Sequence, residues 1–336
     1  MSYAAKVLSH RVYRRRHAIF YALCALVLVW VLLWGFTAYR LNKLVDHMTQ
    51  PTSPLSYESR YMDGTFLTVH VHLEKPSLKQ GSNELQAGEA VIYMPVWNWR
   101  SLSTKLRHGI TGRTETISYS FDGLKFGVAM PDFPATSSEE VGLSFWLSAL
   151  GITLPQEMDV LLVPRIDEIS FDGHLMGQLP AAFTDVAIRA WNDASGVIEI
   201  DDLTLRWGPL DLDAKGTVAL SNELQPEAAF SAKVSGLEQA IGQLRDNGKL
   251  SERDVSLLLA SVGVLGRQTG IAGSSGPILP LSVQNNGLYV GPVKLMDIPR
   301  LNWPQEPNAQ PAEPVVDAPS TPRQDAQPEQ QPLPEE

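Results

Sequence analysis

The sequence predicts an α+β protein: one N-terminal transmembrane helix, then a mainly antiparallel β-sheet meander with several packed helices, then a disordered C-terminal tail. Residues 18–39 form an uncharged apolar run that is long enough to cross a bilayer as a helix. Between 58 and 303, short segments of alternating apolar and polar residues are grouped, with helical patterns between the groups. Such grouping favours an antiparallel α+β fold over a parallel βαβ sheet.

The charges that flank the apolar run predict its orientation. Five basic residues precede it, whereas Arg40 and Lys43 alone follow closely; the five are Lys6, Arg11, Arg14, Arg15 and Arg16. The positive-inside rule therefore predicts a cytoplasmic basic head, 1–17, and export of everything after Tyr39. Trp30 and Trp34 with bulky neighbours stand where a cleavable signal would carry small residues, so we expect a retained anchor.

Proline-rich segments predict the boundaries of the exported domain. Residues 40–57 are interpreted as a linker, because Pro51 and Pro54 break any continuation of the anchor helix. Residues 304–336 are rich in Pro, Gln and Glu and lack aromatic residues, which predicts a disordered tail. The domain between them, 58–303, is large enough for one core or for two lobes, 58–165 and 166–303.

Composition excludes several classes of function. The single cysteine, Cys24, lies in the apolar run, so the exported part has no thiol nucleophile, disulfide or thiolate metal site. The net charge is -10, and much of it comes from the tail. A mildly acidic folded part without a basic stripe is not expected to bind nucleic acid.

Glycine pairs predict hairpin turns, because Asp-Gly and Asn-Gly supply positive φ angles. The candidate turns are Asp63-Gly64, Asp122-Gly123, Asp172-Gly173 and Asn286-Gly287. The second and third share the sequence Ser-Phe-Asp-Gly, and each is followed by a proline and a helical pattern. A duplicated hairpin-plus-helix unit and mere recurrence of a common turn are both compatible with this pattern.

Periodicity places strands and helices around these turns. Alternation predicts strands at 67–74, 197–205, 210–220 and 228–234. Helical spacing predicts helices at 138–150, 181–191, 237–244 and 255–265. The run 141–154 is apolar on nearly every side, which indicates a buried helix or one that faces lipid or a partner.

Several short motifs together resemble a bacterial domain-of-unknown-function family, number 2125. They are 95–99 (PVWNW), 189–196 (RAWNDASG), 203–210 (LTLRWGPL), 234–237 (VSGL), 280–283 (PLSV), 287–292 (GLYVGP) and 298–301 (IPRL). The family is similar in pattern to the C-terminal parts of AsmA-like envelope proteins. The resemblance implies a periplasmic β-rich fold on an inner-membrane anchor in a Gram-negative cell, and it brings no catalytic residues.

The best metal-like pattern is His70, His72 and Glu74, because alternate residues of a strand share one face. His108 or His174 would have to supply a further ligand. The simpler interpretation is a solvated strand face, since Val69, Val71 and Leu73 occupy the other side. We therefore predict no catalytic, cofactor or metal residues in this protein.

Other polar and aromatic residues have structural interpretations. The carboxylate pairs Asp201-Asp202 and Asp211-x-Asp213 could act as paired acids but lie at strand edges. The tryptophans of the domain are expected to pack in cores; they are Trp97, Trp99, Trp191, Trp207 and Trp303. No nucleotide-binding or hydrolase motif is present.

The expected function is therefore non-enzymatic. The leading hypothesis is a single-pass inner-membrane protein whose periplasmic domain takes part in envelope maintenance and holds or passes lipid, contacting the bilayer through 18–39. The alternatives are a scaffold that docks another envelope protein and a metal-dependent hydrolase that uses His70 and His72. An apolar groove favours lipid, an exposed aromatic patch favours docking, and converging histidines and carboxylates favour the hydrolase.

Overall fold

The computed structural model describes residues 3–49, 53–115, 117–155, 162–268 and 278–304. Helix α1, Tyr3–Met48, is followed by an 18-stranded antiparallel sheet with helices packed on it. The predicted fold class is thus confirmed. The predicted disordered tail, 304–336, lies outside the described residues from 305 onward.

Helix α1 is longer than the apolar run that predicted it. In the described part of the chain it is the one helix with the length and apolar composition to cross a membrane. It starts within the predicted basic head, 1–17, and continues to Met48, so the first part of the predicted linker, 40–57, is helical. Leu41 and Val45 in this extension are fully buried against the sheet. Their burial explains why the helix continues past the apolar run.

The ten N-terminal strands form consecutive pairs, β1/β2 to β9/β10, and in each pair the chain bends sharply at a corner between the two strands. Their bounds are β1 Leu55–Ser56, β2 Ser59–Gly64, β3 Thr68–Glu74, β4 Ser77–Gln80, β5 Asn83–Gln86, β6 Glu89–Pro95, β7 Ser101–Arg107, β8 Ile110–Arg113, β9 Ser118–Phe121 and β10 Gly123–Ala129. One branch runs β2-β3-β6-β7-β10 and the other runs β1-β4-β5-β8-β9. Lys75 and His108 adopt positive φ angles at two of the corners. The branches fold over a shared core and meet at β11.

The C-terminal strands form a simple meander in which each strand pairs with the next. They are β11 Val141–Thr153, β12 Arg165–Met176, β13 Ile198–Trp207, β14 Leu210–Leu220, β15 Pro226–Ser235, β16 Ile278–Gln284, β17 Gly287–Val290 and β18 Val293–Asp297. The helices between them are α2 Asp185–Asp193, α3 Leu237–Asp246 and α4 Glu252–Gln268. These helices confirm the predictions at 181–191, 237–244 and 255–265.

The helix predicted at 138–150 is wrong, because this segment is strand β11. Leu143, Phe145 and Leu147 point to one face of the sheet, and Ser144 and Ser148 point to the other. Trp146 and Leu150 share the face of the two serines, and these two large apolar side chains hide the alternation.

Two predicted hairpin turns are also wrong. Asp122-Gly123 joins β9 to β10 along the same edge of β11, and Asp172-Gly173 lies inside β12. Asp172 faces a bulge at Asp201-Asp202, where β13 carries one extra residue. The Ser-Phe-Asp-Gly copies therefore mark bends and bulges, and there is no duplicated hairpin-plus-helix unit in the described residues.

The other two glycine pairs do lie at hairpins. The β16–β17 hairpin is confirmed, although its positive φ angles, 49° and 55°, belong to Asn285 and Asn286 rather than to Gly287. Asp63-Gly64 ends β2, and the loop that follows is formed by residues 65–67. This loop contacts helix α1.

Candidate functional site

One face of the sheet is apolar from β3 to β17, and we call it the apolar face. Residues directly opposite one another on antiparallel strands share a face, so the register defines rows across the sheet. The rows are Leu73-Ala90-Leu106-Leu124-Ala149-Ile169-Leu205-Leu212-Val234, Val71-Ile92-Thr104-Phe126-Leu147-Phe171-Leu203-Ala214-Ala232-Leu279 and Leu102-Val128-Phe145-Gly173-Ile200-Gly216-Phe230-Leu281-Val290. The rows contain one polar side chain, that of Thr104.

The apolar face is covered at both ends and open in the middle. At the N-terminal end, helix α1 and the branch β1-β4-β5-β8-β9 cover a core that contains Leu41 and Val71. At the C-terminal end, α3 and α4 cover a core that contains Ala232 and Leu258. Between these cores, Phe126 and Val128 are 38% and 36% exposed. Their partners on β11 to β13, from Leu147 to Leu203, are half-buried.

The opposite face is polar and holds the predicted carboxylate pairs. Asp211 and Asp213 lie there next to Arg206, whose guanidinium is 2.8 Å from Asp213 Oδ1. Asp201 lies 3.0 Å from His174 Nε2. Arg206 thus holds Asp211 and Asp213, and His174 contacts Asp201, whereas Asp202 lies opposite Asp172 of β12.

Exposed aromatic side chains collect at one end of the sheet, which we call the rim. It consists of three loops, residues 65–67, 96–100 and 130–140, which connect neighbouring strands at the same end. The exposed apolar side chains there are Phe66, Leu67, Trp97, Trp99, Met130 and Phe133. Core packing was therefore a wrong prediction for Trp97 and Trp99. By contrast Trp191 is buried, and Trp207 and Trp303 are half-buried with their Nε1 atoms donating to backbone carbonyls.

The rim contacts helix α1. Trp30 Nε1 donates to the Phe66 carbonyl at 3.0 Å, and the two rings stack with centroids 4.5 Å apart. Trp34 Nε1 donates to the Thr65 carbonyl at 3.2 Å. The Arg40 guanidinium lies 4.9 Å from the Trp99 ring. The rim is therefore level with the C-terminal half of the apolar run 18–39.

The predicted His70, His72 and Glu74 lie on the polar side of β3, but the structure brings only the histidines together. Both lie near Asp63 Oδ1, with His70 Nδ1 at 3.2 Å and His72 Nε2 at 3.1 Å. Glu74 instead accepts a hydrogen bond from Ser59.

Glu89 of β6 holds the other side of His72. Its Oε1 lies 2.7 Å from His72 Nδ1, and this hydrogen bond lowers the pKa of Glu89 below its usual value. His108 and His174 are the two candidates for a further metal ligand. His108 Nδ1 lies 4.0 Å from Glu89 Oε2. His174 belongs to the separate pair with Asp201.

A cavity of about 390 Å³ lies beside β5, β8 and β9. Its lining includes Glu84, Arg113 and Tyr119. Hydrogen bonds from Lys79, Gln86 and Ser77 lower the pKa of Glu84 to about 2. A cavity with a carboxylate that is ionised at neutral pH in its wall does not suit an acyl chain.

Sequence reasoning missed Asp63, Glu89 and the continuity of the apolar face. The Asp-Gly pair predicts a turn at Asp63. The signal that could have placed Asp63 on a strand is its spacing, since Ser59, Tyr61 and Asp63 are every second residue and so share one strand face. Glu89 gives no local signal, because it reaches His72 only through the pairing of β3 with β6.

Comparison with known proteins gives one family match. A family model described as "Uncharacterized protein conserved in bacteria (DUF2125)" matches residues 128–299, about half of the 336-residue chain. The match starts at the end of β10 and covers β11 to β18, so the open part of the apolar face is largely inside it, whereas His70 and His72 are outside it. No curated protein matches the chain. The likeness to AsmA-like envelope proteins stays a prediction.

Proposed function

This chain belongs to the bacterial DUF2125 family, and we propose from its geometry that it is a membrane-anchored, non-enzymatic protein that holds or passes lipid. The observation that carries this proposal is the apolar face. It is open between two covered cores, and it lies on the same sheet as a rim that touches the apolar helix. Lipid handling would serve maintenance of the cell envelope.

Helix α1 supports the membrane part of the proposal. Its apolar run follows a cluster of basic residues, which favours a cytoplasmic N-terminus and an exported sheet domain in the inner membrane. Trp30 and Trp34 lie in the C-terminal half of this run, at the end that would face the exported side. Since the loop at Phe66 packs on Trp30, the sheet domain would stand directly on the membrane rather than at the end of a linker.

The open part of the apolar face supports the lipid part. Phe126, Val128 and Phe145 present apolar surface that nothing in the described residues buries fully. Each methylene group of an acyl chain placed there would contribute about 0.8 kcal/mol by leaving water. The polar opposite face would stay hydrated, so the sheet could shield a chain on one side only.

The rim offers a route between the bilayer and the apolar face. Val128 is followed by the rim loop with Met130 and Phe133, so apolar surface continues from β10 to the membrane side. Arg40 and Arg100 flank the Trp99 ring and would suit lipid phosphate groups at the interface. A lipid could thus leave the bilayer with its headgroup near these arginines.

The test uses the full chain purified in detergent and moved into phospholipid vesicles. We expect phospholipid to remain bound after delipidation, detected by mass spectrometry, and a fluorescent acyl probe to be taken up. Phe126→Glu should abolish both signals, because it places an unpaired charge where the chain would lie. Lys125→Glu on the polar side of the same strand is the matched control and should bind like the wild type.

A folded wild-type chain that retains no lipid and takes up no probe would contradict the proposal. Equal loss of binding in both variants would also contradict it, since a charge effect unrelated to the apolar face would then be acting. In either case the exposed Trp97 and Phe133 of the rim would favour the scaffold alternative, with a protein docked on that end of the sheet.

A further inference from the structure

The hairpin formed by β2 and β3 carries three side chains whose ligand atoms converge. Asp63 Oδ1 lies 3.2 Å from His70 Nδ1 and 3.1 Å from His72 Nε2, and all three atoms lie within 4.8 Å of one another. Two ligand atoms bound about 2.0 Å from a tetrahedral zinc ion lie about 3.3 Å apart. Both distances from Asp63 Oδ1 therefore match those between ligand atoms that share one metal ion.

The remaining nitrogen of each imidazole already has a partner. His72 Nδ1 lies 2.7 Å from Glu89 Oε1, and His70 Nε2 lies 2.8 Å from Thr68 Oγ1. A neutral imidazole that donates from one nitrogen presents a lone pair on the other. In the tautomers that donate to Glu89 and to Thr68, the nitrogens that face Asp63 carry the lone pairs that a cation would bind. A carboxylate behind a ligating histidine is the usual outer partner in zinc sites.

We propose that Asp63, His70 and His72 bind one zinc ion, with a fourth position left for water. Two imidazole nitrogens and one carboxylate oxygen favour zinc over calcium or magnesium, which prefer oxygen ligands alone. This site departs from the expectation that the protein has no metal residues, and it replaces Glu74 with Asp63.

Burial around the cluster suits an ion that enters from solvent. The side chain of His72 is 11% exposed and that of His70 is 25% exposed, whereas that of Asp63 is 56% exposed. The Tyr61 ring stacks on the His72 ring with centroids 4.4 Å apart and holds its orientation. The histidines are thus fixed, and the Asp63 side stays open for the ion and its water.

An ion at this position would hold the loop that contacts helix α1. Asp63 lies just before the loop whose Thr65 and Phe66 contact Trp34 and Trp30 of helix α1. An ion that joins Asp63 on β2 to the histidines on β3 would hold this loop in place. Zinc would therefore stiffen the contact between the sheet domain and the helix, independently of any lipid on the other face.

The experiment titrates zinc and cobalt into the full chain, prepared metal-free in detergent without a polyhistidine tag. We expect one equivalent of zinc to bind, and cobalt to give the visible absorption of a tetrahedral site. His70→Asn and His72→Asn should each weaken zinc binding by about 100-fold or more, and Glu89→Gln by about 10- to 100-fold. His174→Asn, which removes a histidine paired with one aspartate elsewhere, is the matched control.

Absence of stoichiometric zinc binding to the folded chain would overturn the site. Zinc binding that survives in both histidine variants, or that is lost equally in His174→Asn, would overturn it as well. If His72→Asn does not fold, Asp63→Asn decides, because this exposed residue can change without disturbing a core. Unchanged zinc affinity in Asp63→Asn would contradict the assignment.

Discussion

Gly123 and Gly173 end the same four-residue sequence but have different surroundings. A Cβ atom on Gly173 would clash with the backbone oxygen of Glu199 on the neighbouring strand, whereas one on Gly123 would lie 3.9 Å from Leu150. Neither glycine has a positive φ angle, so close approach of the backbones is what Gly173 permits. A shared motif thus serves two different purposes.

We predict that Gly173→Ala destabilises the fold by about 1–3 kcal/mol, because the added methyl group must displace a strand. Gly123→Ala is the matched control and should leave the free energy of unfolding unchanged or raise it slightly. Denaturant unfolding of both variants measures the difference. Equal stability of the two variants would show that the close approach at Glu199 does not exist.

Asp172 predicts a pH dependence. Burial raises its pKa, and the neighbouring Asp202 and Asp201 raise it further. A carboxyl group whose pKa is higher in the folded state destabilises the fold above that pKa, and the penalty disappears as the pH falls below the unfolded value. We expect Asp172→Asn to raise the melting temperature at pH 7 but not near pH 3. A variant that melts lower than the wild type at pH 7 would contradict this reasoning.

Among the elements, strand β11 shows why periodicity failed over 138–150. A strand inside an amphipathic sheet should alternate, and β11 does so except at Trp146 and Leu150. With apolar side chains at these positions, the segment also fits a helix that is apolar all round. Only pairing with β10 and β12 decides between the two, because hydrogen bonds to neighbouring strands are absent from the local sequence.

The extension of helix α1 gives a prediction at the scale of an element. Leu41 is fully buried in the N-terminal core, whereas Leu44 on the same helix is 36% exposed. Leu41→Ala should destabilise the folded domain by about 2–5 kcal/mol through the cavity it leaves, and Leu44→Ala should have a much smaller effect. Thermal unfolding of the detergent-purified chain measures both. Similar stabilities would mean that residues 40–48 are a linker, as the sequence suggested.

At the scale of the whole molecule, the basic residues before the apolar run predict the topology. A phosphatase that is active only after export, fused behind Trp303 of the full chain, should be active in a Gram-negative host. Replacing the five basic residues with neutral ones should reduce this activity, since the positive-inside bias would be lost. Full activity of a cytoplasmic reporter at the same position would overturn the proposed orientation.

The sequence by itself determined the apolar helix, the antiparallel α+β class, helices α2 to α4 and the family, because these depend on local composition, periodicity and short motifs. It also located His70 and His72 on one strand face. The tertiary structure alone decided that β11 is a strand, that residues 40–48 continue the helix, and that Asp63 and Glu89 meet the histidines. It alone joined apolar residues from strands far apart in the chain into one face. These features depend on which strands pair and in which register, and pairing is set by contacts between distant residues.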